Sequence, residues 1–340
     1  MTMAGPPPGS EFDLIARHFA PLARDATGAF GLTDDAAVLG VPEGRALVVT
    51  TDTMVADVHF LESMPAEAVG ARLLRVNLSD LASMGATPAV YTVSLSFPRD
   101  LASMERDDWA AGFARGLSMD QDIFGVTLVG GDTVSVPGPL SLTLTALGWI
   151  EPGREMRRSG ARDGDLVYVS GSIGDAALGL EAERGKLHAL APEHRAALIE
   201  RFRRPTPRLQ SGENLVGIAS AAADISDGLV ADLGHICEAS GLSAEIEVPN
   251  VPFSGAARTA LAGDPELLEL MLTGGDDYEL VFTAPKDTRD AVAKIAIETG
   301  VPLTPIGAIS RPASGMHGRV RVIGADGRDV AFAAGGYRHF

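Results

Sequence analysis

Short apolar, β-branched runs alternate along this chain with long helical patterns, and that alternation restricts its fold more than any other feature. Strand-like runs lie at Ala46–Thr51, Ala89–Phe97, Val126–Val129 and Leu140–Trp149. Between them, residues 65–84 and 101–119 carry apolar positions at helical spacing. The glycine- and charge-rich stretch Glu151–Gly164 then breaks the pattern and marks a domain boundary. A second set follows, with strands expected at Leu166–Ser170, Ala222–Ile225, Ala244–Val248, Tyr278–Thr283 and Leu303–Ile309. Helices are expected at Asp175–Glu183, Pro192–Phe202, Leu229–Ala239 and Asp287–Thr299. The chain therefore reads as α+β, with a flexible Pro/Gly tail over 1–10, one domain over 11–152 and another over 153–340.

At 340 residues and 46% hydrophobic content, each half can bury a core. The longest apolar stretch, Leu140–Ile150, falls far short of the roughly 20 residues of a membrane helix. The tail lacks the basic start and apolar run of a signal peptide, so a cytoplasmic location is expected. The 45 acidic and 28 basic residues give a formal charge of -17, which repels nucleic acid and anionic membranes alike. It also repels a nucleoside triphosphate, so phosphate chemistry here has to bring its own cations. The single cysteine, Cys237, lies in an apolar helical pattern and reads as core.

The acids are placed in a recurring way, beside Gly, Ser or Thr at the ends of strands or the starts of helices. Asp34 and Asp35 follow a glycine-rich turn. Thr50, Thr51, Asp52 and Thr53 end an apolar strand in hard oxygen groups of the kind magnesium prefers. Asp80 flanks the Leu74, Leu78 and Leu81 stripe of its helix on the side away from Arg72 and Arg75. Gly130-Gly131-Asp132 follows a strand, and its glycines allow a phosphate close to the backbone. Asp224 and Ser226 share a face of extended chain, whereas Asp227 opens a helix and is explained locally as its cap. Gly274-Gly275-Asp276-Asp277 repeats the design before a strand. Each segment alone also suits a turn or a cap; their repetition points to metal-assisted phosphate chemistry.

The sequence contains no GxxxxGK[ST] loop, protein-kinase signature or GxSxG nucleophile. Gly171-Ser172-Ile173-Gly174-Asp175 is a partial glycine loop that equally suits a strand-to-helix turn. His59, seven residues after Asp52 in a polar, aromatic-flanked stretch, stands apart from the other histidines.

Taken in order, TDDAAVL, TTDTMVADVHF, VNLSDLASMGATP, LVGGDT, RRSGARDGDLVYVSG, ADISDGLVADLGHI, GGDDYEL and the closing GGYRHF resemble the thiamine-monophosphate kinase family. The resemblance implies the two-domain fold of aminoimidazole ribonucleotide synthetase. It also implies a homodimer joined through the sheets of its N-terminal domains, with a C-terminal α/β domain covering nucleotide and acceptor. The implied activity, the last step of thiamine diphosphate biosynthesis, is direct in-line transfer of the γ-phosphoryl of ATP to thiamine monophosphate, with no covalent catalytic residue. Asp35, Thr50, Thr51, Asp52, Asp80, Asp132, Asp224 and Asp227 would hold several Mg2+ ions. Gly131, Asp132, Arg158 and Ser226 would contact ATP, and His59, Asp276 and Ala334 the acceptor. Members often carry Glu at the position of Asp276 and an aromatic near Ala334. A synthetase of the same superfamily is the alternative. A hydrogenase-maturation dehydratase would need a C-terminal cysteine, whereas this chain ends Tyr337-Arg338-His339-Phe340.

Overall fold

Two separate sheets organise the chain. The computed structural model describes residues 10–312, 317–332 and 336. Most of the expected tail over 1–10, and Ala334, lie outside the described residues. The chain divides into two units, one running through Leu81 and over Thr87–Pro152, the other taking Ala82–Ala86 and the chain from Gly153 on.

The first unit begins with a four-residue helix, α1 (Glu11–Leu14), capped by the Ser10 hydroxyl and continued by tighter and wider turns through Ala23. Strands β1 (Ala46–Val55), β2 (Thr87–Pro98), β3 (Thr127–Val136) and β4 (Ser141–Ile150) form one sheet in the order β1-β4-β2-β3. Only the β2–β3 pair is parallel. Helices α2 (Ala66–Met84) and α3 (Ser103–Phe124) pack together where glycine permits it. A Cβ at Gly70 would lie 2.3 Å from the Phe113 carbonyl oxygen, and one at Gly116 would lie 2.0 Å from that of Glu67. Arg75 on α2 pairs with the buried Asp120 on α3 at 2.7 Å, and Trp109 stacks on Phe113 with ring centres 5.1 Å apart.

Two strands run further than expected, and this changes where their acids stand. The threonines of TTDT extend β1 to Val55, because a β-branched hydroxyl residue suits a strand as well as a turn. Asp52 is thus inside a strand, not at its end. Likewise β3 continues through Gly130, Gly131 and Asp132 to Val136. A Cβ at Gly131 would sit 1.9 Å from the Val93 carbonyl oxygen, so this glycine permits β3 to lie against β2, whereas Gly130 meets only a Thr92 methyl at 3.7 Å. Gly131→Ala is therefore expected to destabilise the protein by about 2–4 kcal/mol and Gly130→Ala by under about 1 kcal/mol, measured by urea unfolding.

The second unit carries β5 (Leu166–Ser170), β6 (Ala221–Asp224), β7 (Ser243–Glu247), β8 (Leu280–Ala284), β9 (Leu303–Ser310) and β10 (Val320–Ile323). They form a sheet in the order β10-β7-β9-β5-β8-β6, antiparallel except for β10–β7. Both faces are covered, which explains why LVYVS and LVFTA are mostly apolar and do not alternate, with Ser170 and Thr283 buried among them. Val167, Val169 and Val281 join Leu233, Ile236 and Cys237 of α7 (Leu229–Ser240) in one core. Tyr168 and Phe282 stack at 5.1 Å in the other, with Val292 and Ile295. Burial pushes the Cys237 thiol up to about 12, in keeping with a packing role. Helices α4 (Asp175–Glu183), α5 (Pro192–Arg203) and α10 (Arg289–Thr299) fall near their expected positions. The short α6 (Leu209–Leu215), α8 (Gly255–Gly263) and α9 (Leu267–Thr273), like β10, go beyond the sequence reading.

Candidate functional site

Alternation along β1 sorts its polar residues onto two faces. Thr50, Asp52 and Met54 point to the more covered face, whereas Leu47, Val49, Thr51 and Thr53 are exposed. The Thr50 hydroxyl donates a short hydrogen bond to Asp80 Oδ2 on α2. Burial, reinforced by the charge of Asp80, pushes the Asp52 carboxyl up to about 6. Two carboxylates and a hydroxyl thus converge, a hard-oxygen donor set suited to Mg2+. The Thr51 side chain is turned away from this group. Its hydroxyl donates to the Leu144 carbonyl oxygen at 3.0 Å and accepts from Thr145 Oγ1 at 3.0 Å.

A second acidic group gathers at the opposite edge of the same sheet. Asp34, Asp35, Gly130, Gly131, Asp132 and Thr133 line a cavity whose wall is apolar, with Phe19, Leu32 and Leu95. The register runs Thr53–Thr143–Ser94–Asp132 across the four strands. Three strand spacings therefore separate the Asp52 and Asp132 edges, about 14 Å. His59 closes the turn after β1, its Nδ1 accepting the Val55 N–H at 3.1 Å, which leaves Nε2 as the protonated nitrogen of the neutral ring.

In the second unit, Asp224 ends β6 as a buried carboxylate, and Ser226, Asp227 and Gly228 lead into α7. Asp227 is not the cap that its position suggests. Gly228 occupies that place with φ 120°, and the carboxylate that satisfies the loop belongs to Asp232, one turn into the helix. Asp232 Oδ2 accepts the N–H groups of Ser226, Asp227 and Gly228 at 3.0, 3.0 and 3.2 Å. This leaves the Asp227 side chain outside the capping bonds. Burial, then the charge of Asp227, pushes Asp232 up to about 7, with exposed Arg158 acting in the opposite direction. Asp227, Asp232 and His235 offer ligand atoms within 4.8 Å of one another. Asp232 and His235 stand three apart on α7, and that helical spacing is the local sign of their proximity in the sequence.

The GGDDYEL segment lies beside this loop. Asp276 N–H donates to the Ser226 carbonyl oxygen at 2.9 Å, and Tyr278 N–H to that of Ile225 at 2.9 Å. Asp277 is fully buried and accepts the N–H groups of Gly174 and Ala176 at 2.6 and 3.1 Å. Burial pushes its carboxyl up to about 8 against those bonds. The partial glycine loop at 171–175 therefore receives an internal carboxylate. Glu279, also buried, accepts from Ser170 Oγ at 2.6 Å, Arg201 at 2.7 Å and Arg208 Nε at 2.6 Å. Neither Asp277 nor Glu279 was assigned a role from sequence, although both alternate with residues of a marked motif.

Comparison with known proteins agrees with this two-unit layout. The family model for the N-terminal domain of AIR synthase related proteins matches residues 33–150, and that for the C-terminal domain matches 162–315. A thiamine-monophosphate kinase of Salmonella typhimurium is 42% identical over 97% of this chain and 98% of its own length. The crystal structure of thiamine-monophosphate kinase from Stenotrophomonas maltophilia K279a is 40% identical, with a TM-score of 0.81 over 94% of this chain and 98% of that one. AaThiL complexed with AMPPCP and TMP is 32% identical, with a TM-score of 0.75 over 92% and 97%. Among the described residues, no helix is long and apolar enough to cross a membrane. The order of motifs along the sequence, the paired AIR synthase related domains and these near full-length likenesses agree: the chain belongs to the thiamine-monophosphate kinase family of phosphotransferases.

Proposed function

We propose that this protein transfers the γ-phosphoryl group of ATP directly to the phosphate of thiamine monophosphate, giving thiamine diphosphate and ADP in the cytoplasm. The observation that carries the proposal is the convergence of Thr50, Asp52 and Asp80 in a chain 42% identical to a thiamine-monophosphate kinase. In this reading residues 11–152 form the metal-binding, ATP-binding and dimerisation domain, and residues 153–340 supply further nucleotide and acceptor groups. Asp35, Thr50, Asp52, Asp80, Asp132, Asp224 and Asp227 would hold Mg2+ ions, whereas Thr51, expected among them, turns its hydroxyl to Leu144 and Thr145 on the other face of β1 and could offer only its backbone. When bound, magnesium neutralises the triphosphate charge that an acidic protein would otherwise repel. Gly131, Asp132, Ser226 and Arg158 bind and orient ATP, with Arg158 adding a fixed positive charge. His59, Asp276 and the position of Ala334 orient the acceptor. Its phosphate is already ionised near neutral pH, so the chain need not remove a proton from it and acts mainly by positioning.

The acting form is a homodimer. The sheet order supports this reading, because the edge bearing Asp52 and the edge bearing Asp132 are far apart in one chain, and a second copy can bring them together. Leu47 and Val49, 43% and 56% exposed, offer apolar surface on the open face of β1.

Purified protein given ATP, thiamine monophosphate and magnesium is expected to form thiamine diphosphate and ADP. Thiamine itself should be a poor acceptor. No product under saturating magnesium, alongside brisk turnover of a different phosphate acceptor, would overturn the substrate assignment.

A further inference from the structure

The segment that carries Asp276 is held in a conformation that its residues do not favour. Asp276 and Tyr278 are non-glycine residues with φ 74° and 49°, on either side of Asp277. Each costs roughly 1–2 kcal/mol in that region, so the surroundings must enforce it. Two buried carboxylates do so. Asp277 fills the anion position at the N-terminus of α4, with both its oxygens bonded to backbone N–H groups, of Gly174 and Ala176. Glu279 is fixed by Ser170, Arg201 and Arg208. The segment is thus pinned immediately after Asp276 and again three residues after it. The neighbouring Ser226–Gly228 loop meets this segment through the Asp276 N–H bond to the Ser226 carbonyl oxygen, and has a further anchor of its own in Asp232, which accepts three of its N–H groups.

We propose that Asp277 is a positioning residue for acceptor binding: by seating its carboxylate on the amides of Gly174 and Ala176, it holds Asp276 in the left-handed conformation that meets thiamine monophosphate. This rests on the reading that Asp276 faces the acceptor. Asp277 itself does not touch substrate. Its influence falls chiefly on Asp276, because the loop bearing Ser226 has three bonds to Asp232 besides the one it shares with Asp276.

The test uses Asp277→Asn in the full-length protein. Asparagine keeps the shape but replaces one of the two accepting oxygens with an amino group, which cannot accept. KM for thiamine monophosphate is expected to rise about tenfold while KM for ATP stays within about twofold, with the fold checked by circular dichroism. In an Asp276→Gly background, which removes the carboxylate and tolerates the same φ, Asp277→Asn should add less than about twofold. Equal changes in both KM values, no change in either, or a full effect in the Asp276→Gly background would overturn the proposal. Should Asp277→Asn not fold, the wild-type protein answers by linkage. Saturating thiamine monophosphate should then slow hydrogen exchange at Gly174 and Ala176 by about threefold or more, and unchanged exchange would overturn the anchor. Wild-type protein inactive on thiamine monophosphate would instead overturn the functional reading beneath it.

Discussion

Mixing two inactive variants, Asp52→Asn and Asp132→Asn, should restore about a quarter of wild-type activity once subunits exchange. Each variant alone is expected to lose about 10³-fold or more in turnover, because on the proposed reading each removes a carboxylate that would hold the magnesium needed to neutralise the triphosphate. The recovery follows from the order β1-β4-β2-β3, which puts the two acids on opposite edges of one sheet. If a site draws its Asp52 edge from one chain and its Asp132 edge from the other, a mixed dimer has one doubly altered and one intact site. Half the dimers in a random mixture are mixed, which gives the quarter. Absence of recovery, with exchange verified by mass spectrometry, would place both acids of a site in one chain.

Asp52→Asn should also stabilise the metal-free protein while it abolishes activity. Folding raises the Asp52 carboxyl from its usual 3.8 to about 6, so the folded state holds the proton more tightly than the unfolded chain. Its favourable contribution is complete below about pH 4 and is lost as pH rises through about 6. At pH 7.5 the ionised group therefore opposes folding by about 3 kcal/mol, which asparagine relieves. The gain in melting temperature should be largest above pH 6 in chelator and fade toward pH 4. A gain that is independent of pH would sink this account.

The second large effect is on stability. Glu279→Ala should destabilise the protein by about 3–5 kcal/mol, since Arg201 and Arg208 would lose the buried carboxylate between them. Glu279→Gln, which keeps the shape and one accepting oxygen, should lose less. Urea unfolding of the two variants checks the order. Equal stability of Glu279→Ala and wild type would show that the arginines find other partners.

The sequence was most readable where period and apolarity agree. β5 and α4 occupy the expected residues, and α2 and α7 differ from expectation by a residue. Legibility failed at polar strand ends. Thr51 and Thr53 read as a terminus yet extend β1, and Gly131 reads as a phosphate approach yet is required by the Val93 carbonyl. α8 is built of alanine, glycine and threonine, too small to give a strong apolar stripe. At the site, the acids beside glycine stood out, whereas the carboxylates that hold loops did not. Asp232 looks like any helix-surface acid until folding wraps Ser226–Gly228 around it, and Asp277 is indistinguishable from Asp276 until one turns into the core. The Asp277 role depends on contacts made across 101 and 103 residues of chain, which no local pattern records, whereas Asp232 reaches back only four to six residues, by a turn that its sequence neighbours do not announce.

The interleaving of the two units has a consequence for how such a chain can be divided. Residues Ala82–Ala86 group with the C-terminal unit, where a side chain at Gly212 would strike the Ala82 carbonyl oxygen and the Met156 N–H bonds that of Met84. A single cut in the Glu151–Gly164 stretch consequently yields a C-terminal fragment deprived of five of its own residues. Gene fission, domain shuffling or fragment expression at that seemingly natural joint would strip the C-terminal unit of these contacts with Ala82 and Met84.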